Sequence, residues 1–443
     1  MRPRATFGFL VKKSGIFLLF LALSVNLVFS AEARSEPEEK YILKWATILP
    51  AEGVLGETLV KIKRMIEEQT GGGIKNTWYT GAVMGDDPDL VRKIKLGQLQ
   101  GSLLTLVGLQ KIAPEVTVFT LPLFYKNYQE LDCTLSLGWP LIEEMLSKRG
   151  FVVFGVADLG GVTFHAKIEP KQKEELFQGK WIPPNQYIIS DPAEAAEIFK
   201  QLRLWMWVGV EQFAQYLVNT LGDFKTIIPL AMPEVLPSLQ AGMVDMVYGT
   251  CLTTLGLQWW TQCDYLFKFE GYLGLGHPTM MVLIDQKTFN SLPVKYQKIV
   301  RAAFQSEFGP KSNRLTSGLR QDEENACRVL LKQGFGEITI VSEALKAMEE
   351  RAEEQYRDMV GKLFSMELLQ QVTSIRDQCR RELESRVYLP PQVVTLEVYW
   401  NLYHLLYAIC HSLYLCCSIL IRRTFEIRKI IAIDEVKIFP RKL

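Results

Sequence analysis

The chain has 443 residues, enough for two domains of ordinary size with a tail left over. Lysine and arginine number 50 against 49 aspartates and glutamates, a formal charge of +1, so no global basic surface argues for nucleic acid as a partner. A hydrophobic content of 48% is that of a globular protein, raised by apolar segments at both ends.

The first apolar segment, "VKKSGIFLLFLALSVNLVFSAEARS", has Lys12 and Lys13 before a run from Ile16 to Phe29, then the small-residue sequence Ala31-Glu32-Ala33. That is the layout of a secretory signal peptide over residues 1–33, and it predicts an exported, periplasmic protein. The other end holds "YWNLYHLLYAICHSLYLCCSILIRR". Residues 398–421 have about the length of a spanning helix and are followed by Arg422 and Arg423, which favour a cytoplasmic end. Asn401, His404 and His411 weaken its transfer into lipid, so a membrane tether and an amphipathic tail both stand as readings. The eight cysteines form no framework by spacing. Cys251 and Cys263 could pair in an oxidising compartment, but free buried thiols are the expectation.

The body opens after a polar linker. "YILKWAT" reads as a strand. "VLGETLVKIKRMIEEQTGGG" puts Leu55, Leu59, Ile62 and Ile66 on one helical face, with Gly71 to Gly73 as the stop. "IKNTWY" is a second strand, and in "MGDDPDLVRKIKLGQL" Asp87 is the expected N-cap, with Pro88 at the first helical position and Gly97 closing the helix. "GSLLTL" is a third strand. Strand, helix, strand, helix, strand at these lengths is an α/β pattern with a mainly parallel sheet, whose strand ends are the usual place for ligands.

"GFVVFGVADLGGVTFHAK" reads as two extended runs around a turn. A polar stretch from Ile168 to Lys200 with Pro183-Pro184 at its centre interrupts the alternation, and is read as an insertion covering the cleft or a partner surface. Then "LRLWMW", "EQFAQYLVNTLG", "FKTIIPL", "MPEVLPSLQAG" and "MVDMVYG" resume strand and helix by turns, and long helices follow from Leu292. The expected architecture is two α/β lobes within residues 41–386, with lobe junctions near 150–165 and 240–250.

Catalytic signals are scarce. His165, His277, His404 and His411 are far apart, no spaced metal set occurs, and neither G-x-S-x-G nor G-x-x-x-x-G-K-[ST] is present. No motif calls for a cofactor. His277 reads as a satisfied structural residue. Aromatic residues instead gather near strand ends: Trp205 and Trp207 point to the same face of one strand, and Tyr248 and the Trp259-Trp260 pair lie downstream. They can plug a core or line a cleft for a small ligand, and their number favours the cleft.

The run "LAMPEVLPSLQAGMVDMVYG", Leu230 to Gly249, resembles the strand-helix-strand hallmark of the solute-binding subunits of TRAP (tripartite ATP-independent periplasmic) transporters. "WATILPAEGVLGETLVKIKRMIEEQTGG", "GAVMGDDPDLVRKIKLGQLQGSLLTLVGL", "LPLFYKN" and "NSLPVKYQKIVRAAFQSE" fall in that family's order, over roughly Tyr41 to Arg380. The resemblance implies a two-lobed solute-binding fold with a hinge and an interlobe cleft, here with a helical C-terminal extension. It also implies delivery of a small-molecule ligand to the membrane subunits of an ion-gradient-driven permease. An exported sensor of the same fold is the alternative.

Many members of that family carry a ligand-binding arginine in a "K-x-R-V" strand, and Trp205 stands at the matching place, with Arg203 two residues before it. "GGVTFHAK" lacks a second such arginine, and "DMVYGT" lacks the asparagine often found there. The expected ligand is therefore an organic molecule, a carboxylate by family resemblance, with a substantial apolar part. Trp205 would stack on it, Trp207, Trp259 and Phe164 would wall the cleft, and Tyr248 or Thr105 would supply hydrogen bonds.

Overall fold

The structure is a computed structural model, and it describes residues 40–168, 186–208, 211–309, 312 and 314–387. The chain divides into a unit ending at Cys379 and a second beginning at Arg380, and the first holds both sheets and the cleft. The signal-peptide segment and the apolar segment 398–421 lie outside the described residues. Among the described residues no helix is long and apolar enough to cross a membrane.

The first sheet begins with β1 (Tyr41–Ala46), α1 (Gly53–Gln69) and β2 (Ile74–Tyr79), followed by α2 (Asp87–Lys95) and β3 (Gly101–Thr105). Leu55, Leu59, Ile62 and Ile66 of α1 are all buried, as their spacing along one face requires. Gly71 and Gly72 end the helix at φ 62° and 82°, a conformation that glycine adopts without strain. Helices α3 (Leu106–Ile112) and α4 (Tyr128–Ser147) lead to β4 (Phe151–Asp158). The strand order is β2-β1-β3-β11-β4, where β11 (Thr279–Asp285) arrives late in sequence and runs antiparallel to both neighbours. Trp45, Trp78, Phe154 and Phe304 pack behind this sheet, with Trp45 4.6 Å from Phe304 by ring centroids.

The second sheet is built from β5 (Thr163–Ala166), β6 (Gln186–Ile189), β7 (Arg203–Trp207), β8 (Thr226–Leu230), β9 (Met246–Gly249), β10 (Tyr265–Phe269) and β12 (Gly336–Ile340). Its order is β6-β12-β10-β5-β9-β7-β8. Between these strands lie α5 (Pro192–Lys200), α6 (Glu211–Leu221), α7 (Val235–Gln240) and α8 (Cys251–Gly256). The remaining helices are α9 (Gln286–Ser291), α10 (Val294–Phe308), α11 (Arg314–Lys332), α12 (Ser342–Met359) and α13 (Met366–Val387).

The chain leaves the first sheet after Asp158 and enters the second at Thr163; it returns between Phe269 and Thr279, and besides these two extended crossing segments a third crossing, through helix α11, leads from the first sheet to β12 of the second. The junction expected near 240–250 is therefore not a junction. β9 is an interior strand of the second sheet, bonded to β5 and β7. The two crossing segments are laced together by Val162 N–H donating to Gly276 O at 2.7 Å and Leu275 N–H to Val162 O at 2.8 Å. Their backbones approach so closely that a Cβ on Gly161 would stand 1.5 Å from the Leu273 carbonyl oxygen, which explains glycine there.

The described part of the polar stretch after Ile168 is also not a cover for the cleft. Gln186–Lys200 supplies β6 and α5, and β6 adds an edge to the second sheet beside β12, at the opposite end from β7 and β8. Its exposed Gln186 and Ile188 alternate with buried Tyr187 and Ile189, the period of a strand with one wet face.

Helix α11 is fastened on both sides. Arg320 donates to Asp132 of α4 at 2.6 and 2.9 Å and to Asp158 at the end of β4 at 2.7 and 3.2 Å. Its guanidinium also lies 4.0 Å from the Tyr128 ring centroid. One turn on, the Glu323 carboxylate accepts from the backbone N–H groups of Cys251 and Leu252, both at 2.7 Å. A disulfide joins Cys327 to Cys251, and another joins Cys133 to Cys379. The expectation of free thiols is thus corrected for four cysteines, while Cys263, once considered as the partner of Cys251, is buried and free. Partners 76 and 246 residues apart cannot be matched from spacing, because only the fold brings them together.

Replacing Arg320 by alanine leaves two carboxylates, one of them almost fully buried, without their cation. Chemical denaturation should show a loss of about 3–5 kcal/mol.

Candidate functional site

Between the two sheets lies a cavity of about 380 Å³. The first sheet contributes the turn after β1 and the start of α1 (Ile48 to Pro50, Glu52 to Leu55), and Thr105 to Val107 at the junction of β3 and α3. The second contributes Trp205 and Trp207 of β7, Tyr248 of β9, residues of α8 and Trp259. The crossing segments add Val162 and Gly276 to Pro278, and α11 adds Leu319 and Asp322. Such a position, at strand ends and between lobes, is where α/β folds place ligands.

The pairing of Trp205 and Trp207 on one face follows from the two-residue period of β7. Trp205 is 1% exposed, and its indole N–H donates to the Leu230 carbonyl at 3.0 Å. Its ring stacks on Tyr248 at 5.0 Å between centroids and 20° between planes, and meets the buried Trp259 edge-on at 5.3 Å. Trp205 therefore both belongs to the core of the second lobe and presents a surface to the cavity. Trp207 is half-buried and reaches further: its indole N–H donates to the Asp86 carboxylate at 3.2 Å, across the cleft to the first lobe. Tyr248 accepts the Trp207 backbone N–H at 3.2 Å, and burial pushes its phenol up to about 12, so it remains a neutral hydroxyl.

Five of the six residues singled out in the sequence, Thr105, Trp205, Trp207, Tyr248 and Trp259, line this one cavity. Phe164 does not. It is 1% exposed and packs behind the lining, 6.3 Å from both Tyr248 and Phe269 by ring centroids. A strand alternates its side chains, and Phe164 falls on the core side of β5. Arg203 is also absent from the lining, because its guanidinium is held by both carboxylate oxygens of Asp245 at 2.5 and 2.6 Å.

His277 borders the cavity, but both ring nitrogens are engaged, Nε2 with the Phe119 carbonyl at 2.9 Å and Nδ1 with the Thr279 hydroxyl at 2.8 Å. Burial lowers its pKa to about 4, so it is a neutral structural ring. Sequence analysis gave Glu52, Asp86 and Asp322 no role, since no motif singles them out. Only the folding of α1 and α11 toward each other brings the first and third to one cavity wall.

The N-cap of α2 also lies one residue before its expected place. Asp86 extends its carboxylate to Asp87 N–H at 2.8 Å, while Asp87 turns inward and is fully buried. One Asp87 oxygen accepts from Thr105 N–H at 2.9 Å, from its hydroxyl at 2.5 Å and from Gly108 N–H at 3.3 Å. Thr105, a candidate hydrogen-bond donor to a ligand, thus has its hydroxyl proton committed to Asp87.

Burial, the largest influence, pushes the Asp87 carboxyl from 3.8 up to about 7. The folded state then holds the proton more tightly than the unfolded chain. This group's contribution is most favourable below pH 3.8, declines as pH rises to about 7, and is constant above that. Measured against Asp87→Asn, the wild type should lose relative stability between pH 4 and 7, at up to about 1.4 kcal/mol per pH unit. A flat difference would show that the carboxyl is ionised throughout.

Residues 45–180 and 211–363 match the model of the bacterial extracellular solute-binding protein family 7. The uncharacterized protein YiiZ of Salmonella typhimurium is 24% identical over 121 residues, 27% of this chain and 37% of the length of that relative. Among solved structures, the sugar acid binding protein DctPAm of Advenella mimigardefordensis, in complex with galactonate, superposes with a TM-score of 0.63 at 15% identity, covering 77% of this chain and 99% of that one. A TRAP periplasmic solute-binding protein of Haemophilus influenzae with bound L-gulonate gives 0.63 at 16% identity over 77% and 100% of the two chains. The receptor DctP7 of Bordetella pertussis, binding pyroglutamic acid, gives 0.61 at 14% over 76% and 99%. The matching family model spans more than half of the sequence and the fold agrees throughout both lobes, so the chain belongs to the bacterial extracellular solute-binding protein family 7, the solute receptors of TRAP transporters.

Proposed function

We propose that this protein is an extracytoplasmic receptor that binds a small organic ligand with a substantial apolar part, and hands it to an ion-gradient-driven TRAP permease. The observation that carries the reading is the interlobe cavity of about 380 Å³, walled by Trp205, Trp207, Tyr248 and Trp259. Aromatic walls of this kind contribute by burying ring surface, at about 25 cal/mol per Å² removed from water. Membership of a receptor family supports binding and release without chemistry, rather than an enzyme.

Hinge closure would be the working motion. The crossing segments and α11 are the connections that remain when the lobes separate, and the Trp207–Asp86 hydrogen bond is a contact that separation breaks. Two disulfides fit an oxidising compartment, and so support a periplasmic site of action. The length of segment 398–421 and the arginines after it support a tether beside the permease, which would replace diffusion by local concentration.

Thermal denaturation of the purified protein with aromatic, branched apolar and dicarboxylic compounds tests the reading. A ligand that binds only the folded state stabilises it by about 2.7 kcal/mol at a hundredfold excess over Kd. An apolar compound should raise the midpoint, and Trp205→Ala should abolish the rise. A rise with succinate or malate that Trp205→Ala leaves unchanged would overturn the reading. With the same apolar ligand, Trp207→Phe keeps the apolar wall but removes the donor to Asp86. It should weaken binding by about tenfold or more, as expected for one hydrogen bond to a charged acceptor; an unchanged Kd by calorimetry would show that this bond takes no part in closure.

A further inference from the structure

The cavity is unusual in how it treats negative charge. Three helices start at its wall: α1, α3 and α8. A helix N-terminus, with its free N–H groups and positive dipole end, is ordinarily a favourable place for an anion. At α8 and α3 the N–H groups are already taken by carboxylates of the chain itself, and two further carboxylates border the start of α1. Glu323 takes the first two N–H groups of α8. Asp87 takes those of Thr105 and Gly108 around the start of α3. Asp322 comes within 3.5 Å of where a Cβ on Gly53 would stand, at the first residue of α1, and Glu52 is the N-cap of that helix.

The nearby cations are equally committed. Arg203 is chelated by Asp245, and Arg320 by Asp132 and Asp158. The described lining residues include no lysine or arginine, while Glu52 and Asp322, exposed and half-buried, bring two carboxylates to the wall.

We infer that this cleft selects against anions: its ligand is a small apolar molecule whose polar end is uncharged or positively charged, and Glu52 and Asp322 are the residues that reject a carboxylate. The inference rests on the apolar-cleft reading above and sharpens it. It also departs from the expectation of a carboxylate drawn from family resemblance. A carboxylate entering here would lose part of its hydration, find the N–H groups at the starts of α3 and α8 taken, and stand beside the like charges of Glu52 and Asp322.

Calorimetric titration of the full-length protein with 3-phenylpropan-1-ol, 3-phenylpropylamine and 3-phenylpropanoate separates the possibilities, because the three share one apolar body and differ in the charge of the polar end. The alcohol and the amine should bind, and the carboxylate should bind at least about tenfold more weakly. In the double variant Glu52→Gln, Asp322→Asn, which changes two side chains that are not buried, the carboxylate should gain about fivefold or more while the alcohol is unchanged. A carboxylate that binds the wild type as tightly as the alcohol overturns the charge rule and leaves the apolar cleft intact. A carboxylate whose affinity the double variant does not change overturns the role of these two residues. Failure of all three compounds to bind overturns the apolar cleft itself, and the charge rule with it.

Discussion

The fold depends on one buried ion cluster. Arg320 stands where the chain crosses from one sheet to the other, its guanidinium shared between Asp132 and Asp158 and laid over Tyr128. Removing charges from water is costly, and such a cluster holds only because every partner is in place at once. Its position on α11 is what matters for the cleft. The same helix carries Leu319 and Asp322 to the cavity, Glu323 to the start of α8, and Cys327 to the disulfide with Cys251. A helix tied by charge to one lobe and by hydrogen bonds and a covalent bond to the other fixes the back of the site.

Around that fixed helix the two crossing segments provide the freedom. Their backbones approach closely at Gly161 and Gly274, where a side chain would collide with the opposite carbonyl. On the far side of the cavity Trp207 meets Asp86. The cleft is thus bounded by a strong connection at its back and, at its front, by the Trp207–Asp86 hydrogen bond. That asymmetry is what a receptor that must release its ligand requires.

The aromatic wall and the carboxylates act together. The Trp205–Tyr248 stack and the edge of Trp259 remove water from one side, and carboxylates answer the positive ends of the helices on the other. Glu52 is exposed and Asp322 half-buried, so of the two it is the charge of Asp322 that water screens less.

Much of this was legible in the sequence, because it is periodic. Leu55, Leu59, Ile62 and Ile66 mark the buried face of α1, the alternation in "LRLWMW" puts Trp205 and Trp207 on one side, and repeated strand-helix units imply open sheets with ligands at strand ends. Local pattern misplaced what depends on distance. Phe164 lies in a strand of the right sheet but on its core face, the second crossing lies after Phe269 rather than near 240–250, and the capping role passed from Asp87 to Asp86. The sequence by itself determined the family, the two α/β lobes and most of the cleft's aromatic residues, since each of these is written in short-range order. Only the tertiary structure decided the disulfide partners, the aspartates that hold Arg203 and Arg320, and which carboxylates lie near the three helix starts. Those contacts join residues 18 to 269 positions apart, and no periodicity records which distant charge a folded chain will bring to a given helix end.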